Sequence, residues 1–246
     1  MKILVCISKV PDTTAKISFT DNNTKFNEDK VQFIINPYDE WYALVRALEL
    51  KEGAGGTVTI VNAGPADNEQ IIRKGLALGA DDAIRIDMQA NDAFQVAAEI
   101  AAVAKEGSYD LILCGKETID YNGGVFGGLL AEMLSMPYVS LASKLDLQEN
   151  SLLLEREIEG EKEVIEVAMP CVVSAQKGMA EARIPNMRGI LASKSKPVAV
   201  ITPSGTTARV PVASFSLPPE KGACKMVDAD QAEELIRLLH EEAKVI

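Results

Sequence analysis

The sequence predicts an α/β fold: a mostly parallel, doubly wound sheet, an antiparallel hairpin late in the chain, and a C-terminal extended arm followed by a helix. Three observations predict it. From residue 3 to about residue 140, short apolar runs alternate with stretches of helical periodicity, the pattern of βαβ crossovers. Around Glu159-Gly160 charged and apolar residues alternate one by one, as in a hairpin with one wet face. Between residues 203 and 227 stand Pro203, Pro211, Pro218, Pro219 and Gly222, which read as an extended arm.

Taken in order, Ile3-Leu4-Val5-Cys6-Ile7 is a first buried strand ending in a polar loop with Pro11. Residues 12–30 are polar with isolated apolar positions and read as a hairpin or excursion. Asn36-Pro37-Tyr38-Asp39 opens a helix, because the residue before a proline is steered from helical dihedrals and Asp39 suits the first turn. Trp41, Leu44, Val45 and Leu48 share one face of that helix, and Gly53 to Gly56 ends it. Val58 to Val61 is the second strand, leading to Ala63-Gly64-Pro65. Asp67 and Gln70 form a capping-box pattern for a helix with Ile71, Ile72 and Leu76 that ends near Gly79. Ala83 to Ile86 is a short strand, Asn91 to Lys105 an alanine-rich helix, and Asp110 to Cys114 a buried parallel strand. A helix through Leu129 and Leu130 stops before Pro137.

Beyond the hairpin, Cys171 to Ala175 returns to a buried strand. Residues 176–196 read as a polar loop that carries Met179, Ile184, Met187, Ile190 and Leu191. Such residues fit either a partner surface or packing back on their own domain. Asp228 and Gln231 cap a last helix with Leu235, Ile236, Leu238 and Leu239 as its apolar face. The organisation expected is a domain over 1–203 and an arm plus helix over 204–246 that packs on a partner subunit. His240 reads as a surface residue.

Composition narrows the function. The 246 residues contain 47% hydrophobic side chains, enough for a sizeable core, and carry a net charge of −11. That balance argues against nucleic-acid binding, which needs a basic face. Four scattered cysteines with one histidine lack the spacing of a zinc site and fit a reducing compartment. The N-terminus runs directly into a short strand and no stretch approaches 18 apolar residues, so direct membrane insertion is not expected and a cytoplasmic location is.

The most informative segment is Gly115-Lys116-Glu117-Thr118-Ile119-Asp120-Tyr121-Asn122-Gly123-Gly124-Val125-Phe126, a polar glycine-rich loop between a buried strand and a helix. Unpaired N–H groups at a helix start favour phosphate, and glycine lets a phosphoryl group approach the main chain. The loop therefore reads as a nucleotide cradle, or as a plain βα connection rich in glycine. Cys6 to Val10, Ala63-Gly64-Pro65 and Asn36 to Asp39 would flank the same rim, where open α/β sheets bind ligands. No nucleophile elbow, metal-protease helix, Walker loop or dinucleotide fingerprint is present. Glu117 and Asp120 suit ribose contacts or capping better than acid–base work, so binding without turnover by the chain's own side chains is expected and no catalytic residue is assigned.

At these residues the chain resembles the electron transfer flavoprotein beta subunit. The resemblance is carried by Ile3 to Asp12, Asn36-Pro37-Tyr38-Asp39, Ala63-Gly64-Pro65-Ala66, Arg73 to Asp81, the Gly115-Lys116-x-x-Ile119-Asp120 loop, Met169 to Ser174 and Ile184-Pro185-Asn186. It implies a Rossmann-like, adenine-nucleotide-hydrolase-like sheet in an alpha–beta heterodimer. An FAD would be shared with the alpha subunit. Electrons would pass from acyl-CoA dehydrogenase-type donors to a quinone oxidoreductase acceptor, and the beta subunit would hold an AMP, or a second FAD in electron-bifurcating members. Binding positions carried over are Cys6, Asn36, Pro37, Tyr38, Asp39, Ala63 and Gly115 to Phe126. Met179, Ile184, Pro185 and Met187 fall in the family's recognition loop, where an apolar residue at the position of Ile184 plugs into a dehydrogenase pocket; such an anchor contributes roughly 1.5–3 kcal/mol. Bifurcating members read Ile-Asp-Gly-Asp-Thr-Ala-Gln-Val-Gly-Pro where this chain has Ile119 to Gly128, with Tyr121 and Phe126 in place of smaller residues. That bulk favours AMP. A competing reading from another class is a stand-alone ATP- or AMP-binding regulatory module; the exposed apolar arm argues against it.

Overall fold

A computed structural model describes all residues 1–246. The chain divides into two units, Met1–Phe215 and Ser216–Ile246.

The first unit is built on a nine-stranded sheet. Its strands are β1 (Lys2–Cys6), β6 (Thr57–Ala63), β7 (Asp82–Ile86), β8 (Leu111–Gly115), β9 (Tyr138–Leu147), β10 (Ser151–Ile158), β11 (Glu161–Ala168), β12 (Cys171–Ala175) and β13 (Val198–Ile201), in the order β11-β10-β9-β12-β8-β1-β6-β7-β13. All pairings from β9 to β13 across the sheet are parallel, while β10 and β11 add antiparallel strands at one edge. Two small ladders stand apart: β2 (Lys9–Pro11) with β5 (Phe33–Ile35), and β3 (Phe19–Thr20) with β4 (Lys25–Phe26).

Helices α1 (Asp39–Ala54) and α2 (Glu69–Leu78) cover one face, and α3 (Ala93–Gly107) and α4 (Phe126–Leu134) the other. The central strands are apolar throughout because both of their faces are buried. In β1, Ile3 and Val5 join Leu44, Leu48, Ile72 and Leu76 on the first face, while Leu4 and Cys6 join Ile100, Ile112 and Leu130 on the second. Each such side chain contributes roughly 1.5–3 kcal/mol of burial. The chain runs from β1 through β6 to β7 on one side, then crosses back to β8 on the other. The carboxyl ends of β1 and β8 therefore form the switch point where open α/β sheets bind ligands.

Two local expectations give way to tertiary contacts, and one strand is added that the sequence does not signal. Asp67 does not cap α2: it lies in a preceding 3₁₀ turn, and its carboxylate pairs with Lys9. Residues 176–196 contain a short helix, α5 (Met187–Ser193), with Asn186 as its cap. The strand β13 after Pro197 extends the sheet beside β7. The extended stretch after β13 is fixed to α3 by two carboxylates. Glu99 accepts from the N–H groups of Ser204, Gly205 and Thr206, and Asp92 from those of Arg209 and Val210.

The second unit contains α6 (Ala232–Arg237), continued by a single wider turn over Leu238–Glu242. Arg237 pairs with Glu234 and Glu241 along this helix, and Leu235 and Ile236 are exposed. No helix of the protein is long and apolar enough to cross a membrane.

Candidate functional site at the sheet rim

The start of α1 organises the rim. Asn36, fully buried, donates from Nδ2 to the Glu117 carbonyl at 2.9 Å and accepts from the Ile119 N–H at 2.9 Å. Its side chain thus acts as a surrogate strand partner and shapes the loop after β8. Tyr38 follows with φ 64° and ψ −69°, and the Asp39 N–H donates to the Pro37 carbonyl at 2.8 Å. This is the strained hand of the γ-turn, rare for a residue with a side chain. It turns Tyr38 outward while Asp39 and Glu40 are buried.

Glu40 is the residue that sequence reading passed over. Its carboxyl group accepts from the Ser8 N–H at 2.6 Å and from the Ser8 Oγ–H at 2.8 and 2.9 Å, tying the loop after β1 to the helix. A signal was present: Glu40, Leu44 and Leu48 are spaced four apart, so an acid occupies the core-facing stripe. Burial pushes its carboxyl up to about 8, against the hydrogen bonds from Ser8, with Asp120 and Asp39 adding to the rise. Burial likewise raises Asp39 to about 6, partly offset by Lys116.

Gly115 lies against this helix start. An added Cβ would meet Glu40 Cγ at 2.8 Å and Asp39 Cβ at 3.1 Å, so the approach requires glycine. The Lys116 N–H donates to the Ala175 carbonyl at 2.9 Å, and its ammonium pairs with Glu117. Residues Asp120 to Val125 form an exposed turn into α4, whose first turn has no side-chain cap. Within it Gly123 has nothing within 4 Å of an added Cβ and no positive φ, unlike Gly127, where Tyr138 packs against the backbone. The chain itself therefore gives no reason for glycine at 123.

The structure brings Asn36 to Asp39 together with Gly115 to Ile119. Ala63 ends β6, two residues beyond the Val61 that pairs with Cys6. The Cys6 side chain faces the α3/α4 core, and burial, with Cys114 and Glu40 nearby, raises its thiol well above the usual range. Phe126 packs on that same core, so its bulk does not enter the rim and only Tyr121, 61% exposed, adds bulk there. No group of three His, Cys, Asp or Glu side chains is placed to hold a metal.

The second candidate surface lies elsewhere. Ile184 is 86% and Met187 71% exposed, with Pro185 between them half-buried. Met179, expected at a partner surface with them, is buried in the α1/α2-side core.

The family model of the electron transfer flavoprotein domain matches residues 23–205. The chain is 35% identical to electron transfer flavoprotein subunit beta of Bacillus subtilis, covering 100% of both chains. It is 31% identical to the human subunit beta, covering 100% of this chain and 99% of the other. Acryloyl-CoA reductase electron transfer subunit gamma of Anaerotignum propionicum is 34% identical over 82% of this chain and 77% of its own. The chain belongs to the electron transfer flavoprotein beta-subunit family. Membership carries an electron-transfer role, that of a carrier subunit.

Proposed function

We propose that this chain is the beta subunit of a heterodimeric electron transfer flavoprotein and binds AMP at the rim between β1 and β8. The observation that carries the reading is the loop after β8: it is tied down by Asn36 at one end and ends in Gly123, which no intrachain contact requires. The acids Asp39, Glu117 and Asp120 suit the hydroxyl and amino donors of an adenosine, and the stretch from Gly123 into the uncapped α4 suits its phosphate. Tyr121 at the turn supports the smaller nucleotide over a second FAD.

The alpha subunit is the partner, and of the arm and helix expected to pack on it the part beyond Phe215, with Leu217, Met226, Leu235 and Ile236 exposed, is the part free to do so, since residues 204–210 are tied to α3. FAD is shared with that subunit and supplies the redox chemistry of the complex. Acyl-CoA dehydrogenase-type donors dock at Ile184, Pro185 and Met187, and a quinone oxidoreductase accepts the electrons. Four unpaired cysteines support a reducing, cytoplasmic setting.

The test is to denature the purified heterodimer and chromatograph what it releases. One FAD and one AMP per heterodimer are expected. Two FAD would replace this reading with the bifurcating one. No adenine compound beyond the shared flavin would overturn the rim site.

A further inference from the structure

We infer that Glu52 and Arg183 are positioning residues that hold Ile184 and Met187 outward for docking, a role that rests on the partner reading above. Arg183 directly precedes Ile184, and its guanidinium donates to both carboxylate oxygens of Glu52, at 2.7 and 3.1 Å. This is the two-pronged geometry that fixes direction as well as distance. Glu52 stands in the last turn of α1, where a negative charge is disfavoured by the helix dipole. The helix therefore gains nothing from an acid there, and Arg183 is what the acid serves.

The far side of the segment is fixed as firmly. Asn186 Oδ1 accepts from the Gly189 N–H at 2.8 Å and caps α5. That helix lies flush on α2, since an added Cβ at Gly189 would meet the Ala77 carbonyl oxygen at 2.2 Å. Arg73 of α2 donates to the carbonyls of Ser193 and Lys196, both at 2.7 Å, and Lys196 Nζ donates to the Leu76 carbonyl at 2.9 Å. Between these ties lie Ile184 and Met187. An untethered loop would lose conformational freedom on docking, and a loop held at both ends has already lost it. The Glu52–Arg183 pair is the only one of these ties at the Ile184 end.

The experiment uses the heterodimer, with butyryl-CoA and a purified butyryl-CoA dehydrogenase as the electron source. Glu52→Ala is expected to raise the KM for the heterodimer roughly two- to fivefold with kcat unchanged, the scale of an exposed ion pair. The charge exchange Glu52→Arg with Arg183→Glu restores the KM, which a merely structural loss would not. Limited trypsin digestion, which needs no donor, reads the tie directly: cleavage after Arg183 becomes several-fold faster in Glu52→Ala, with an unchanged melting temperature. An unchanged cleavage rate overturns the inference by itself. If Ile184→Asp leaves the KM unchanged, the docking reading of the segment fails. If Ile184→Asp raises it while Glu52→Ala alters neither KM nor cleavage, the positioning role alone fails.

Discussion

The two ends of α1 are made of different material. At its N-terminal end, Asn36, Asp39 and Glu40 are buried, and the side chains of Glu40 and Asn36 are turned onto the loops after β1 and β8. At its C-terminal end, Lys51 pairs with Asp81 and Glu52 with Arg183 in ion pairs at or near the surface, and Ile184 and Met187 nearby in the chain are exposed. A helix of 16 residues separates them by about 24 Å. Buried hydrogen bonds fix main chain tightly, as gripping a small ligand requires, whereas surface ion pairs steer a segment and leave it open to solvent. On the proposed reading one rigid element serves both a ligand rim and a docking segment, and changes at one end should leave the other's readout alone.

The hardest blow to the rim end is Gly115→Ala. Its methyl group would overlap Glu40 Cγ and Asp39 Cβ, and the Glu117 carbonyl oxygen lies 3.2 Å away on the third side. We expect a loss of about 1–3 kcal/mol in urea unfolding together with the bound nucleotide. Trypsin cleavage after Arg183 should not change; a jump there would show that α1 relays disturbance from end to end and would dissolve the contrast.

The next effect is on pH dependence. The Glu40 carboxyl titrates near 8 when folded and near 4.5 in the open chain, so between those values the folded protein holds the extra proton. Stability therefore falls as pH rises from 4.5 to 8 and levels off above, by at most about 1.4 kcal/mol per pH unit. Asp39 adds to the fall between 3.8 and about 6. Melting temperatures of Glu40→Gln should be flat between pH 6 and 8 where those of the unaltered protein decline. Glu52, held below its usual value by Arg183, contributes nothing in this window. A slope that persists in Glu40→Gln would remove Glu40 as its source.

The contrast also separates what the sequence made legible from what it hid. Strands β1, β6, β8 and β12 were readable because burial on both faces leaves unbroken apolar runs, and α1 because Leu44 and Leu48 keep the helical period. The rim loops are legible from their place at strand ends, the glycine-rich composition of residues 115–126 and the family resemblance, but the groups that shape them are not: Asn36 is drawn to a loop far along the chain, and the bend at Tyr38 has no composition signal. Asp67 misled because Lys9, remote in sequence, competes for its carboxylate, while the Asn68 side chain is drawn to Asn62. Strand β13 is four residues with an exposed middle, and only its pairing with β7 makes it a strand. Helix α5 was obscured by Pro185 and Gly189, the latter present because α2 leaves no room for a side chain. Met179 and Ile184 looked alike in sequence, and only packing sends one inward.

The smallest change in the fold should be the most telling for the ligand. At Gly123 a methyl group meets no atom within 4 Å and the backbone is not left-handed. Gly123→Ala should therefore stabilise the nucleotide-free protein by about 0.4–1 kcal/mol, through the narrower freedom of its unfolded chain. If an adenylate phosphate lies against this main chain, the same methyl group blocks its approach, and the AMP content of the purified heterodimer should drop. Stability and occupancy would then move in opposite directions, which neither a packing defect nor a plain connecting loop produces. Unchanged AMP content in Gly123→Ala would move the phosphate off this stretch and leave the glycine without a function.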